Sequence, residues 1–282
     1  MDQNAISRAV EAFCHFRRVA DLLRVRKIVA FGTSALREAQ DSGQLVARVK
    51  EESGIDIKVI SGKEEAKLIA LGILSHEKIP PGRFALVDIG GGSTEISVCR
   101  GKRVLEGNSF PLGTARLQQV FLKRSPPRST ALPQLRNYIR NILGQELDRW
   151  PKAPRVMGSS GTVKAVSKIL GKKNFTPAEL SGFVDQISAM NTTQLLDFPG
   201  MEPKRVDMIL AGALLLEEVV KALGAKSVTS TEFSLRDGII EEEKRLARSH
   251  MSSLLELHLD DLFARVARMG FDEVHLRHMV EL

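Results

Sequence analysis

Residues Phe84 to Val98 read Phe-Ala-Leu-Val-Asp-Ile-Gly-Gly-Gly-Ser-Thr-Glu-Ile-Ser-Val. An apolar run ends in Asp88, three glycines come next at Gly90, Gly91 and Gly92, and Ser93 and Thr94 lead to Glu95. Glycine has no Cβ, so this turn can take φ > 0 and bring its backbone close to a ligand. Successive N–H groups in such a turn form a concave nest suited to phosphate oxygens. A second small-residue turn, Ser159-Ser160-Gly161-Thr162, opens onto a helical pattern and offers N–H groups at a helix start. On its own that second turn is equally an ordinary N-cap.

The residues after the glycines decide the kind of site. In a dinucleotide-binding unit or a P-loop the glycine turn opens a helix. Here Glu95 to Cys99 alternates polar and apolar, and Arg100-Gly101-Lys102 turns into Arg103-Val104-Leu105, so strand, turn, strand, turn, strand is expected. Glu95 occupies the place of the third glycine of G-x-G-x-x-G, and no Gly-Lys-Ser/Thr closes a P-loop. A phosphate-binding hairpin with acids at both edges points to the actin-like, RNase H-like phosphotransferases and phosphohydrolases.

The elements around the hairpin make an α/β chain. Asn4 to Val25 has helical spacing, Lys27 to Phe31 reads as a strand, Gln44 to Glu52 as a helix and Ile57 to Ile60 as a strand. Thr33 or Ser34 can cap a short helix that carries Arg37 near the strand's end. Ser61 to Ala66 turns into a helix running to Leu74, and Pro80-Pro81-Gly82 is a break. Later helices are expected from Gln134 to Trp150, from Val163 to Leu170 and up to Leu223, where Gly224 ends the last of them. Strand-helix alternation places ligands at strand C-termini. The expected division is 1–82, a partial first domain; 83–240, a second domain; and 241–282, a charged helical segment.

The chain has 282 residues, 43% of them hydrophobic, which suffices for substantial cores. Aromatics are only 5%, which argues against a base-stacking nucleic-acid platform. A net charge of +7 favours polyanionic partners without choosing among them. Cys14 and Cys99 form no ligand pattern and suit a reducing compartment. No apolar run reaches membrane-spanning length, and a cytoplasmic protein is expected. His258, His275 and His278 lack a carboxylate or cysteine at metal-ligand spacing and make a poor metal site.

Several separated stretches resemble one family. They are Gly32-Thr33-Ser34-Ala35-Leu36-Arg37-Glu38-Ala39, Ile60-Ser61-Gly62-Lys63-Glu64-Glu65-Ala66, Val87 to Glu95, Leu112-Gly113-Thr114-Ala115-Arg116-Leu117, Gly158 to Thr162 and Leu235-Arg236-Asp237-Gly238. In this order they resemble the exopolyphosphatase / guanosine pentaphosphate phosphohydrolase (Ppx/GppA) family, from about Ala9 to Gly238. The resemblance implies a two-lobed actin-like (RNase H-like) fold. It also implies a hydrolase that releases terminal phosphate from inorganic polyphosphate or guanosine pentaphosphate. By it, Glu65 looks like the carboxylate that activates water, and Asp88 and Glu95 like the acids that hold Mg²⁺ and orient that water. The Gly90–Thr94 nest and the Ser159–Thr162 turn would grip phosphates, and Arg37 would contact the polyanion. Without the resemblance, Glu65 reads as a glutamate in a helix's first turn, favoured there by the dipole. Arg116, Lys164 and Arg236 are candidates for a basic lining, or equally solvated cations.

Departures from the family pattern bear on the expectations. Its members open with a strand-turn-strand that carries a first phosphate loop, and no such stretch precedes the first helix pattern here. Either the sequence is truncated or one clamp is lost; the first lobe is then incomplete and a sheet edge is open, a place for a homodimer. Ser234 and Asp237 stand where the family usually has glycine and glutamate. The C-terminal part is too short for the helical domain of long members. A catalytically weak phosphate- or nucleotide-binding partner protein is the alternative from another class. An actin-like kinase is disfavoured, because no adenosine-binding segment is recognisable.

Overall fold

The computed structural model describes residues 3–249. In chain order the elements are α1 (Gln3–Leu22), β1 (Ala30–Gly32), α2 (Ser34–Glu38), α3 (Ser42–Ser53), β2 (Ile57–Val59) and α4 (Gly62–His76). The hairpin strands β3 (Arg83–Ile89), β4 (Thr94–Arg100) and β5 (Arg103–Phe110) come next, followed by α5 (Thr114–Phe121) and α6 (Ala131–Leu147). Then come β6 (Arg155–Ser159), α7 (Ser160–Ile169), β7 (Asn174–Phe175), α8 (Pro177–Ser188) and α9 (Thr192–Leu196). A 3₁₀ turn (Pro203–Arg205), α10 (Val206–Leu223) and β8 (Ser227–Ser230) lead to α11, residues 235–249. His258, His275 and His278 lie outside the described residues.

Two sheets organise the molecule. The larger has the order β5-β4-β3-β6-β8-β7. Its first three strands form an antiparallel meander, and β6 and β8 continue it in parallel. This is the strand order of an actin-like lobe. The smaller sheet is β1 and β2, paired in parallel from Ala30↔Ile57 to Gly32↔Val59. Among the described residues β1 pairs with β2 alone, so its other edge is open.

Each sheet has its own core. Ile6 and Val10 of α1 meet Leu45 and Val49 of α3 around Ile55 and Ile57. Behind the large sheet, Leu135, Ile139 and Leu143 of α6 pack with Leu214, Leu215 and Val219 of α10, on Val87, Ile96 and Val156. The helix α10 is buried almost all round, which its nearly uniform apolar sequence requires. Its two buried acids, Glu217 and Glu218, are paired with Arg136, Arg140 and Lys221.

The helix α4 bridges the two halves. Its apolar face, Ile69, Ala70, Ile73 and Leu74, packs on Phe84, Leu86, Cys99 and Met157 of the large sheet. Its outer side is crossed closely by α11: a Cβ on Gly72 would stand 2.5 Å from the Ser234 carbonyl oxygen and 2.6 Å from the Gly238 nitrogen. The Leu235–Gly238 stretch therefore serves packing, holding α4 at backbone contact. Because α4 carries Glu65 in its first turn, this crossing fixes where that carboxylate stands.

Some element starts differ from the sequence pattern for a local reason. The helix expected from Ala66 begins at Gly62, because the Ser61 hydroxyl accepts a hydrogen bond from the Glu64 N–H at 3.1 Å and caps it. The helix expected from Val163 begins at Ser160, inside the small-residue turn. The one expected from Gln134 starts at Ala131. In each case apolar periodicity finds the packed face and not the first turn, which is set by backbone hydrogen bonds.

Candidate active site

The hairpin fixes the two acids by register. Asp88 and Glu95 are cross-strand partners on β3 and β4, so their side chains share one face of the sheet. Asp88 also aligns with Ser159 at the end of β6, and the Ser159 hydroxyl donates to Asp88 Oδ2 at 2.5 Å. On the other flank Ser109 of β5 aligns with Glu95. The Ser109 and Ser93 hydroxyls both donate to Glu95 Oε1, at 2.6 and 2.8 Å.

Glu65 enters from α4. Its Oε2 accepts from Arg37 Nη1 at 2.6 Å, and the same nitrogen reaches the Ile60 carbonyl at 3.1 Å. Burial pushes the Asp88 carboxyl above its ordinary range, the nearby Glu65 charge adds to this, and the Ser159 hydrogen bond opposes it. Burial likewise raises Glu95 to about 7, with Glu65 and Asp88 adding to the rise and the two serine hydroxyls opposing it. Asp88 and Glu95 thus both feel the Glu65 charge. Each has one oxygen held by a protein donor, while Glu65 Oε1, Asp88 Oδ1 and Glu95 Oε2 have no hydrogen bond to the described residues.

The glycine turn is held from behind. Its carbonyls at Gly90 and Gly91 accept from Thr114, Ala115 and Arg116 at the start of α5, and Gly90 N–H donates to Ser93 O at 2.9 Å. The N–H groups of Gly91, Gly92 and Ser93 have no acceptor among the described residues. The Thr94 hydroxyl donates to the Leu112 carbonyl at 2.6 Å, so this side chain anchors the turn. None of Gly90, Gly91 and Gly92 takes a positive φ, contrary to the expectation from their type. Their lack of a side chain serves close approach instead, since a Cβ on Gly92 would overlap the Ser34 hydroxyl of α2.

Positive φ appears at the second turn. Ser160, a non-glycine, has φ 90°. Such a backbone costs about 1–3 kcal/mol and is tolerated where surrounding structure imposes it. Its Oγ is buried without a hydrogen-bond partner in the described structure. Ser159 is fully buried behind it, and Thr162 packs under Gly212 of α10. A Cβ on Gly161 would collide with the guanidinium of Arg205, which stands against this turn.

Arg37, Lys63, Ser93, Asn108 and Ser109 line a cavity of about 330 Å³ between the two sheets. The structure therefore brings together Arg37, Glu65, Asp88, Glu95 and both turns. The other cations divide. Arg116 donates to the Gly92 carbonyl at 3.3 Å and pairs with Glu38, tying α5 to α2. Lys164 lies 2.7 Å from Glu232, and its charge also acts on Asp88. Arg236 instead borders a separate groove of about 870 Å³ beside Lys27 and Ile239. Ser109 and Arg205 carry no recognisable signal in the sequence. The first is found only by the β4–β5 register, and the second comes after an irregular loop with no spacing signal.

Among the described residues no group of three or more His, Cys, Asp or Glu side chains could hold a metal alone. The donor chemistry nevertheless suits a hard cation: two facing carboxylates, each with an oxygen free of the described residues and each destabilised as an anion by burial. A cation that takes its remaining ligands from water and phosphate fits this pair. No described helix is long and apolar enough to cross a membrane.

Comparisons with known proteins agree on one group. A family model described as the Ppx/GppA phosphatase family matches residues 1–246. The exopolyphosphatase 1 of Mycobacterium leprae is 28% identical over 251 residues, 84% of this chain and 74% of the relative. The guanosine-5'-triphosphate,3'-diphosphate pyrophosphatase of Pseudoalteromonas translucida is 25% identical over 98% of this chain, which spans 54% of that relative. Among solved structures, an exopolyphosphatase from Cytophaga hutchinsonii superposes with TM-score 0.76 at 26% identity, over 86% of this chain and 82% of its own. The Aquifex aeolicus Ppx/GppA family member gives 0.74 at 22% identity, over 88% and 83%.

Proposed function

The chain belongs to the Ppx/GppA phosphatase family, and from that premise we propose that it hydrolyses a terminal phosphoanhydride of inorganic polyphosphate or guanosine pentaphosphate. The observation that carries this reading is the convergence of Glu65, Asp88 and Glu95, each with one oxygen held and, among the described residues, one oxygen free, beside glycine-turn amides that have no acceptor among them. Hydrolysis of a phosphoanhydride needs positioning, charge neutralisation and a base for water, with little covalent work by the protein.

In this reading Arg37 fixes Glu65 Oε2, and Oε1 takes the proton of the attacking water. The N–H groups of Gly91, Gly92 and Ser93, and the turn at Ser159–Thr162, hold phosphate oxygens. Asp88 and Glu95 would hold Mg²⁺, which when bound supplies charge neutralisation at those oxygens. The Ser159, Ser93 and Ser109 hydroxyls orient the two acids. The division at residues 82 and 240, a cytoplasmic setting and a homodimer through the open edge of β1 belong to the same proposal.

The test is phosphate release from long-chain polyphosphate and from guanosine pentaphosphate, with and without Mg²⁺, beside Glu65→Gln. Release that needs the metal and is lost in the variant is expected. A folded protein that binds polyphosphate and releases nothing from either substrate would turn the reading to a phosphate-binding protein.

A further inference from the structure

The glycine turn can present its amides because its carbonyls are held from the other side. In a planar trans peptide the C=O and the next N–H point in opposite directions. Whatever binds the carbonyl of one residue therefore sets the aim of the following amide. The Gly90 carbonyl accepts from the Thr114 N–H at 2.9 Å, and the Gly91 carbonyl from the Ala115 N–H at 3.0 Å. These two donors are backbone groups at the start of α5, and they aim the N–H groups of Gly91 and Gly92. The Gly92 carbonyl, which governs the Ser93 N–H, is held differently. Among the described residues its donor is a side chain, Arg116 Nε at 3.3 Å.

That side chain is itself held. Arg116 Nη2 pairs with Glu38 Oε2, and the other oxygen of Glu38 accepts from the Ser34 hydroxyl at 2.9 Å. Ser34 lies against Gly92, where a Cβ would overlap its Oγ. Glu38 thus joins the two groups that touch Gly92, one at its Cα and one at its carbonyl. Burial works to raise the Glu38 carboxyl, but the Arg116 and Ser34 hydrogen bonds outweigh it and hold it below its ordinary value. The pair is therefore charged at neutral pH. Glu38 belongs to α2, which follows β1 of the small sheet, whereas the turn joins β3 to β4 of the large one. Arg37, its neighbour in sequence, bonds Glu65. Consecutive residues of one short helix act on the proposed base and on the phosphate turn.

We propose that Glu38 is a positioning residue for phosphate: acting through Arg116, it aims the Ser93 N–H into the cavity that Glu38 and Ser93 both line. The inference rests on the phosphate turn of the hydrolase reading and deepens it. The turn has its full set of donors only when a residue from the other half of the molecule holds it.

The experiment is an amide NMR titration with inorganic phosphate of the native protein, Glu38→Gln, Arg116→Met and the double variant. The side chains of the ion pair are 45% and 35% exposed, and a pair so open contributes little to stability, so the variants should fold. Arg116→Met also leaves the backbone N–H of residue 116 in place. In the native protein phosphate should shift the amide protons of Gly91, Gly92 and Ser93. In either single variant Ser93 should lose its response while Gly91 and Gly92 keep theirs, because backbone donors hold the carbonyls that aim them. Phosphate affinity should fall about tenfold in each, the scale of one amide hydrogen bond to a charged group. It should fall no further in the double variant, since the two residues form one relay. An unchanged Ser93 response in Glu38→Gln, three amides failing together in a folded variant, or multiplying losses in the double variant would overturn the role of Glu38. The titration involves no hydrolysis. Native shifts without turnover would reject the hydrolase reading and leave the positioning role supported by the variants. No shift at any of the three amides in the native protein would overturn the proposal, whatever the hydrolysis assay gives.

Discussion

Arg37 Nη1 stands 2.6 Å from Glu65 Oε2, and by the same nitrogen 3.1 Å from the carbonyl oxygen of Ile60. The side-chain exposures are 19% and 9%, so this ion pair is shielded on the scale where partners matter. One guanidinium therefore ties α2 to the strand end that precedes α4, and aims the proposed base. A cation assigned to the substrate also positions the base, so its loss is expected to show in turnover as well as in binding.

Glu65→Gln should lower kcat by about 10²- to 10⁴-fold, the range of general-base catalysis. Arg37→Met should lower kcat and raise KM together, and Arg37→Lys should recover only part, since an ammonium does not reproduce the planar donor set. Because the residues touch, the double variant should lose less than the product of the single losses. Steady-state kinetics of the four proteins checks this; independent, multiplying losses would separate Arg37 from the base.

Asp88→Asn and Glu95→Gln should each raise the Mg²⁺ concentration for half-maximal activity. Ser109→Ala, which removes a donor to Glu95, should raise it by about tenfold, as expected for a residue that orients a ligand. Activity should disappear on chelation and return with added Mg²⁺. Undiminished phosphate release in excess chelator would remove the metal from the scheme.

Ser160 offers a test with the opposite sign. Replacing it by glycine removes the cost of holding a side chain at φ 90°, so Ser160→Gly should stabilise the fold by about 1 kcal/mol. Denaturant unfolding decides it. A loss of stability would mean that the Ser160 side chain contributes more than its backbone costs.

Glu217 and Glu218 link stability to acid pH. Burial works to raise both carboxyls, but Lys221, Ser181 and Arg136 around Glu217, and Arg140 and Arg136 around Glu218, outweigh it and hold both below their ordinary 4.5. Depressed carboxyls contribute stability that is complete above that value and lost as pH falls through the lowered ones. Unfolding between pH 6 and 3 should therefore show a loss of stability below about pH 4.5 that Glu217→Gln/Glu218→Gln flattens. Arg136→Ala should cost about 1–3 kcal/mol, because both buried acids lose a donor.

Much of the site was legible from residue order. Asp88, the three glycines and Glu95 lie within one hairpin, so strand alternation and a short turn place them together without knowledge of the rest. Helical periodicity likewise marked α1, α6 and α10, because an amphipathic or fully apolar pattern reflects which face is buried. Glu65 was legible only through its likeness to a known motif, since nothing local distinguishes it from any glutamate in a first helical turn.

The tertiary structure decided what depends on groups distant in sequence. Arg37 meets Glu65 across 28 residues, Ser159 meets Asp88 across 71, and Arg205 lies on Gly161. The turn expected to hold positive φ does not; Ser160 does, because the start of α7 is constrained by β6 before it and α10 beneath it. The sequence by itself determined the hairpin, its acids and the helices around them, since these arise from nearest-neighbour chemistry along the chain. Which oxygens are held, which are free and which cations face them was decided only by the packing of α4, β6 and α10 on one sheet, because hydrogen bonding and charge act through space.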